Sequence, residues 1–161
     1  MVYGFAEDLV NEVIAYLNTN MPAKQDVIDA AIGDGIAMAD VVDYIRRDPS
    51  DIRSLTNIPS CYVIVPRTNL LNWKEASAHQ VQDLWIYLVA RDPDPETLRK
   101  LIYRYARALW ETLVDHYFDT ATWKIAGGVQ PSFDFSETIT RGNMAMADVK
   151  IELSYEKLET E

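Results

Sequence analysis

Residues 94–117 have the pattern of one long helix with a single apolar side. Asp94 can accept hydrogen bonds from the first free backbone N–H groups, and Pro95 suits a first turn, where its missing N–H would have no partner. The apolar residues recur at steps of three and four; they are Leu98, Leu101, Ile102, Tyr105, Leu109, Leu113 and Tyr117. A helix over 95–117 is about 34 Å long, so the rest of the chain must supply a broad apolar surface to cover it.

Strand patterns stand on both sides of this helix. Before it, 61–65 is a continuous apolar run ended by a proline, and 80–91 alternates with both faces largely apolar, as in central strands. After it, 120–126 resembles a third strand, and 129–135 alternates weakly around a proline typical of a sheet edge. Residues 145–155 alternate strictly, which predicts a strand with one face on the core.

The first third of the chain predicts helices. Residues 3–18 keep one face apolar, and the Asn-Thr-Asn-Met-Pro sequence at 18–22 predicts a stop and a turn. A short helical turn is expected over 23–32, and the fold of 23–57 is otherwise left open. Strands clustered around one helix indicate an α+β fold. We expect a single domain over 1–161, with a mostly antiparallel sheet packed on one long central helix and an N-terminal helix.

Composition sets limits on the environment of the chain. No apolar run approaches the roughly 20 residues that a membrane span needs, and the first eight residues hold no basic leader of a secretory signal. Cys61 is the only cysteine, which excludes an internal disulfide and favours a reducing, intracellular history. The net charge of −10 argues against tight general binding to nucleic acid, because phosphates repel it.

The sequence holds no recognisable catalytic or cofactor motif. Gly-Asp-Gly at 33–35 lacks the later glycine of a phosphate loop, and no Cys/His spacing fits zinc. His79 and His116 have no nucleophile or carboxylate at a diagnostic spacing, and Cys61 begins an apolar run where a thiol is normally an inert core residue. We therefore predict no catalytic residue, no metal, no cofactor and no enzymatic activity.

Basic and aromatic residues are the candidates for interaction. Lys100, Arg104 and Arg107 follow one another along the long helix with no acid between Glu96 and Glu111. They form either a solvated helix face or a basic stripe that meets an acidic surface, for example on another copy of the chain. Trp73 in a polar loop and Trp110 beside the apolar stripe either pack on the domain's own core or anchor an interface.

The layout of elements points to a family. It comprises the helix over 3–18, Ile-Pro-Ser-Cys-Tyr-Val-Ile-Val at 58–65, Trp-Ile-Tyr-Leu-Val at 85–89, the central helix, and Ala-Asp-Val-Lys-Ile-Glu-Leu-Ser-Tyr at 147–155. This arrangement, over most of the chain, resembles the tail-terminator (tail-completion or neck) proteins of long-tailed bacteriophages. None of these stretches is a catalytic motif.

The resemblance implies a structural virion protein of the tail neck, assembled in the host cytoplasm. It implies a hexameric ring on the tail tube that ends tube polymerisation. Its partners would be the tail tube protein, the head–tail connector or stopper protein and, in a contractile tail, the sheath protein. DNA would pass through the channel without specific binding, and no membrane is involved. The loops at 67–78 and 136–143, with Trp73, Glu137 and Arg141, would project toward the neighbouring subunit or the tube.

Two other interpretations stay open from the sequence. The first is another neck, connector or head-completion ring protein of the same particle, which the pattern barely separates from a terminator. The second, from a different class, is a small enzyme or ligand-binding domain with an unrecognised site.

Overall fold

A computed structural model describes residues 4–47, 57–66, 68–69, 80–117, 123–125 and 132–157. These residues form two helices and eight strands, which confirms the α+β class. The helices are α1 (Gly4–Ile32) and α2 (Pro95–Tyr117). The strands are β1 (Asp43–Ile45), β2 (Ser60–Ile64), β3 (Thr68–Asn69), β4 (Gln80–Asp92), β5 (Trp123–Ile125), β6 (Ser132–Phe135), β7 (Ile139–Arg141) and β8 (Met144–Lys157).

The two longest strands, β4 and β8, form the centre of the sheet. They pair antiparallel along the whole of β4, from Gln80 opposite Lys157 to Asp92 opposite Ala145. On the other side of β4 lie β2 and β3, one after the other. Along the outer side of β8 lie β7, β6 and β5 in turn. These pairings are all antiparallel, whereas β1 pairs with β2 in parallel, so the sheet is mixed.

One face of the sheet carries the main core. On β8, the alternate residues from Ala145 to Tyr155 are buried, as their pattern predicted. They meet the buried alternate residues of β4, for example Ile86 opposite Ile151. Helix α2 lies on this face against β4, β5 and β8, and α1 packs beside it. The predicted bounds of α2 are confirmed, and its apolar stripe from Leu98 to Leu113 is buried.

Helix α1 departs from the sequence prediction. A stop was expected at 18–22 and a separate helical turn over 23–32, but α1 continues through Pro22 to Ile32. Leu17, Met21 and Ile28 keep one side buried across the proline. Tertiary burial therefore outweighs the local cost of proline inside a helix. The prediction of one long central helix is only partly right, because α1 has 29 residues and α2 has 23.

Three short strands were also not predicted, and one of them, β3, lies in the stretch 67–78 that was expected to be a loop. Residues 40–46 were left ambiguous and contain β1, which pairs with β2 from Asp43 opposite Ser60. The stretch 136–143 was expected to be a polar loop and contains β7, which pairs back onto the start of β8. Gly142, with φ of +60°, makes the tight connection between β7 and β8, a backbone conformation that suits glycine in hairpin turns.

The opposite face of the sheet holds a smaller cluster. Tyr62 and Val89 are buried there with Ile58 and Met146. Beside them the Lys150 ammonium lies 3.6 Å from the centre of the Trp85 ring, a cation–π contact between β8 and β4. Both faces of the two central strands are therefore at least partly covered.

Candidate interaction surface

Helix α2 begins at a well-formed cap. The carboxylate of Asp94 accepts hydrogen bonds from the backbone N–H groups of Glu96 and Thr97, both at 3.3 Å, and from the Thr97 hydroxyl at 2.8 Å. The Thr97 hydroxyl and then the Glu96 N–H hold the pKa of Asp94 below its usual value. The cap starts the helix in the phase that buries Leu98 and leaves Lys100 exposed on the outer side.

Strand β6 lies at an edge of the sheet beside α2. Phe133 stands opposite Ile151 and Phe135 opposite Val149 on β8. The N–H of Ser136 donates to the carbonyl of Asp148 at 3.0 Å, which fixes the phase of this ladder. Because hydrogen-bonded and non-hydrogen-bonded pairs alternate in antiparallel ladders, the backbone N–H and C=O groups of Phe133 and Phe135 point away from β8. No strand among the described residues pairs with them on that side.

Four aromatic side chains join α2 to β6. Tyr103 meets Phe135 edge to face, with ring centres 5.1 Å apart and planes at 77°. Trp110 meets Phe133 in the same way, at 6.2 Å and 86°. Tyr103, Phe133 and Phe135 are 54%, 37% and 38% exposed, and Trp110 is half-buried against the core. We call these four residues the aromatic surface; beside its exposed rings runs an edge of β6 with which no described strand pairs.

Arg99 holds the end of β6 against α2. Its Nη1 donates to the carbonyl of Ser136 at 3.0 Å and its Nη2 to the hydroxyl of Thr138 at 2.9 Å. Arg99 is next to Lys100 in the sequence of α2, but its guanidinium donates both of these hydrogen bonds within the chain. The aromatic surface is therefore fixed in place before any partner arrives, which lowers the entropy cost of docking.

The predicted basic stripe divides into two kinds of residue. Lys100 is exposed, and Arg107 is 53% exposed in an ion pair with Glu111 at 2.9 Å. Both are on the outer side of α2, where they flank Tyr103. Arg104 is only 7% exposed; its Nη1 donates to the carbonyl of Ile36 at 2.7 Å and its Nη2 pairs with the Asp34 carboxylate. These bonds argue against the predicted contact of Arg104 with a neighbouring copy, because its guanidinium is used inside the chain.

The Arg104 pair also changes the acidity of its partner. The Arg104 guanidinium, followed by the backbone N–H of Ile36, holds the pKa of Asp34 below its usual value of 3.8. The contact ties α2 to the turn that follows α1. It is a structural bond between these two elements.

Of the other predicted interface residues, Glu137 and Arg141 lie apart from the aromatic surface, and Trp73 lies outside the residues that the structure describes. Glu137 is exposed just after β6, and Arg141 is exposed at the end of β7. Trp73 lies outside the described residues, so its interface role stays a prediction. The interface roles of Lys100, Arg107, Glu137 and Arg141 also stay predictions.

Three residues of the aromatic surface, Tyr103, Phe133 and Phe135, were not predicted from the sequence as interaction residues. Tyr103 and Trp110 are seven residues apart, which places them on one side of a helix. Phe133 and Phe135 are two apart, which places them on one face of a strand. The available signal was a set of large aromatic residues beside the main apolar stripe of α2, together with an edge strand marked by proline.

The described part of the chain offers few other candidate sites. An open groove of about 620 Å³ lies where α1 meets the end of β2; it is lined by Glu7, Val10, Arg46, Arg47, Val63, Ile64, Val65, Pro66 and Trp85. Within the described ranges, no group of three or more His, Cys, Asp or Glu residues is placed to hold a metal ion. Cys61 is fully buried, and burial raises the pKa of its thiol. Neither α1 nor α2 has the apolar character that a membrane-spanning helix needs.

Comparisons with known proteins do not show a family for this chain. No protein-family model matches the chain, and no curated protein matches it. Among solved structures, a chain from the virion of a native gene transfer agent (GTA) particle is similar, with 15% identity and a TM-score of 0.37. The match covers 89% of this chain and 97% of that one. A likeness of this size assigns neither family nor function.

Proposed function

We propose that this chain is a structural virion protein that forms a hexameric ring at the head-proximal end of a phage tail. The ring ends tail-tube polymerisation and joins the tail to the head connector. The observation that carries this proposal is the aromatic surface on the open edge formed by α2 and β6. The arrangement of elements in the sequence, which resembles the tail-terminator family, supports the choice of this particular assembly.

An open edge with exposed rings suits an assembly protein. Unpaired backbone groups on an edge strand are a template for another chain, and isolated subunits normally blunt or cover them. On β6 the edge is instead flanked by Phe133 and Phe135, which are more than a third exposed. Aromatic residues are enriched at protein interfaces, where they bury a large area with few rotatable bonds. A neighbouring subunit would cover both the rings and the strand edge.

The charge of the chain suits a channel that DNA crosses. Each copy carries −10, so six copies carry about −60. An acidic channel wall repels DNA phosphates, which lets the genome slide without sticking. In this proposal the tail tube and the head connector are the axial partners, and the sheath protein is a further partner in a contractile tail.

A tube-growth assay tests the proposed function. Tail tube protein of the same particle is allowed to polymerise with and without the purified chain, and tube lengths are measured by electron microscopy. We expect tubes to stop growing, with one cap at one end. Tubes that grow to the same length with bare ends would reject the terminator role. If the purified chain binds the isolated head connector but leaves tube growth unchanged, another neck or connector ring protein is favoured.

A further inference from the structure

We infer that the aromatic surface of one copy is covered by an acidic surface on a second copy of the same chain. This acidic surface consists of exposed residues on the C-terminal part of α1 and on the segment that leads into β1. The inference rests on the proposed ring and assigns the two surfaces that meet between its subunits.

The exposed apolar residues fall into two groups. Among the described residues, the large hydrophobic side chains that are exposed are Tyr103, Phe133 and Phe135 in the aromatic surface and Val27, Ile32 and Val42 elsewhere. Val27 and Val42 are both 64% exposed. Each group offers apolar area that a partner can bury, and the two groups are on different elements.

The second group lies in a stretch with charge of one sign. Residues 25–44 contain five aspartates and no Lys, Arg or His. Asp29 accepts the N–H of Met38 at 2.9 Å, and Asp34 pairs with Arg104, so these two serve the fold. Asp26, Asp40 and Asp43 are exposed beside Val27 and Val42 in the sequence.

Two hydrogen bonds join this stretch into one surface. The side chain of Gln25 donates to the carbonyl of Ala39 at 2.9 Å, and Asp29 holds the backbone of Met38. The segment after α1 therefore runs back along the end of the helix. We call the exposed residues of this region the acidic surface; they are Asp26, Val27, Ile32, Asp40, Val42 and Asp43.

The charges of the two surfaces are complementary. Lys100 and Arg107 flank Tyr103 on the aromatic surface, whereas the acidic surface carries aspartates around Val27 and Val42. The ion pair of Arg107 with Glu111 is exposed, and such pairs contribute little stability, so Arg107 is able to exchange its partner at low cost. Opposite charges around two apolar centres favour one pairing and disfavour the like-with-like contacts, in which each surface would meet its own charge.

The positions of the two surfaces suit a ring. Strand β1 is the last strand at one end of the sheet, and β6 lies on the far side of β8 at the other end. The two surfaces are different, so a contact between them is head-to-tail. Repeating the same contact from copy to copy generates a closed ring when the rotation per copy closes.

Two single substitutions test the pairing. Tyr103→Asp places a negative charge in the aromatic surface, and Val42→Lys places a positive charge in the acidic surface, where the inferred contact brings Lys100 and Arg107; both side chains are exposed, so the fold should survive. Thr19→Asp and Thr19→Lys together are the matched control, on an exposed position of α1 outside both surfaces. Sedimentation velocity measures the mass of each protein, and circular dichroism checks its fold. We expect each variant to weaken self-association by about 10-fold or more, since central interface residues have effects of that size.

The mixture of the two variants identifies a head-to-tail contact. Each variant keeps one intact surface, so an equal mixture should form a dimer of about 37 kDa, twice the 18.4 kDa chain, and nothing larger. The control should assemble as the wild type does. Variants that assemble like the wild type, a single variant that dimerises alone, or a mixture that stays monomeric would each overturn the inference. If the wild type still caps tail tubes, the proposed function survives that failure; a wild type that neither assembles nor caps tubes ends both.

Discussion

At the scale of single residues, Arg104 shows how a charge serves the fold. Its guanidinium lies between α2 and the turn after α1, where it bonds to the Ile36 carbonyl and the Asp34 carboxylate. The helical period groups Arg104 with Lys100 and Arg107, away from the centre of the apolar stripe, yet its side chain is only 7% exposed. Its partner stands 70 residues away, so no local pattern could reveal the pair. The outward positions of Lys100 and Arg107, by contrast, follow from the helical period alone.

Replacing Arg104 should destabilise the chain. Arg104→Met keeps the apolar stem but leaves the Ile36 carbonyl without its charged donor, and such bonds are worth about 1.5–3 kcal/mol. The measurement is the free energy of unfolding in urea. Lys24→Met is the control, because the Lys24–Asp115 ion pair at 2.7 Å is partly exposed and should cost under about 1 kcal/mol. Equal losses in the two variants would contradict the role given to Arg104.

The same pair predicts a pH dependence. The pKa of folded Asp34 is below its usual value of 3.8, so the stability from its ionised form is present above that pH. It is lost as the pH falls through the lowered pKa of the folded state, because protons then bind the unfolded chain first. The difference in unfolding free energy between wild type and Arg104→Met should therefore shrink below about pH 4. A constant difference from pH 7 to pH 3 would count against the assignment.

At the scale of elements, periodicity predicted α2, β4 and β8 and missed the short strands. Helix α2 and strands β4 and β8 each repeat their pattern over many residues, and the structure has them close to where the sequence indicated. Strands β1 and β7 have three residues each, too few for a period to show. Helix α1 was predicted too short because Asn-Thr-Asn-Met-Pro is a local stop signal. The helix continues because Met21 and Ile28 are buried against the rest of the chain.

The continuity of α1 can be tested at its proline. Pro22 lies inside the helix, where proline lacks an N–H donor and is about 3 kcal/mol less favourable than alanine. Pro22→Ala should stabilise the chain by about 1–3 kcal/mol, part of the gain being offset by the greater freedom of the unfolded chain. Pro95→Ala at the first turn of α2 is the control and should change stability little. Thermal unfolding compares the two, and no gain at Pro22 would mean that the helix breaks there.

At the scale of the whole molecule, the structure offers two unlike surfaces at opposite ends of one sheet. The sequence predicted a basic stripe, and it suggested that this stripe meets an acidic surface on another copy. It could not identify the aromatic surface, because Tyr103 and Phe135 come from elements 32 residues apart. Their contact depends on where β6 pairs along β8, which only the assembled sheet determines.

Charge reversal and salt test the electrostatic part of this assembly. The double variant Lys100→Glu with Arg107→Glu turns the basic flanks of Tyr103 acidic, so it should repel the acidic surface and weaken self-association. Because exposed charges are screened by salt, the defect should be larger at low ionic strength than at 0.5 M salt. Light scattering across a salt series measures it. If self-association is unchanged, or if its loss does not depend on salt, these charges take no part in the contact.

Cryo-electron microscopy of tail tubes incubated with the purified chain shows both whether a ring forms and how its subunits meet. We expect a six-fold ring of about 110 kDa, six times the 18.4 kDa chain, at one end of each tube, with β6 of each subunit against the β1 side of the next. Bare tube ends beside free single subunits would contradict it.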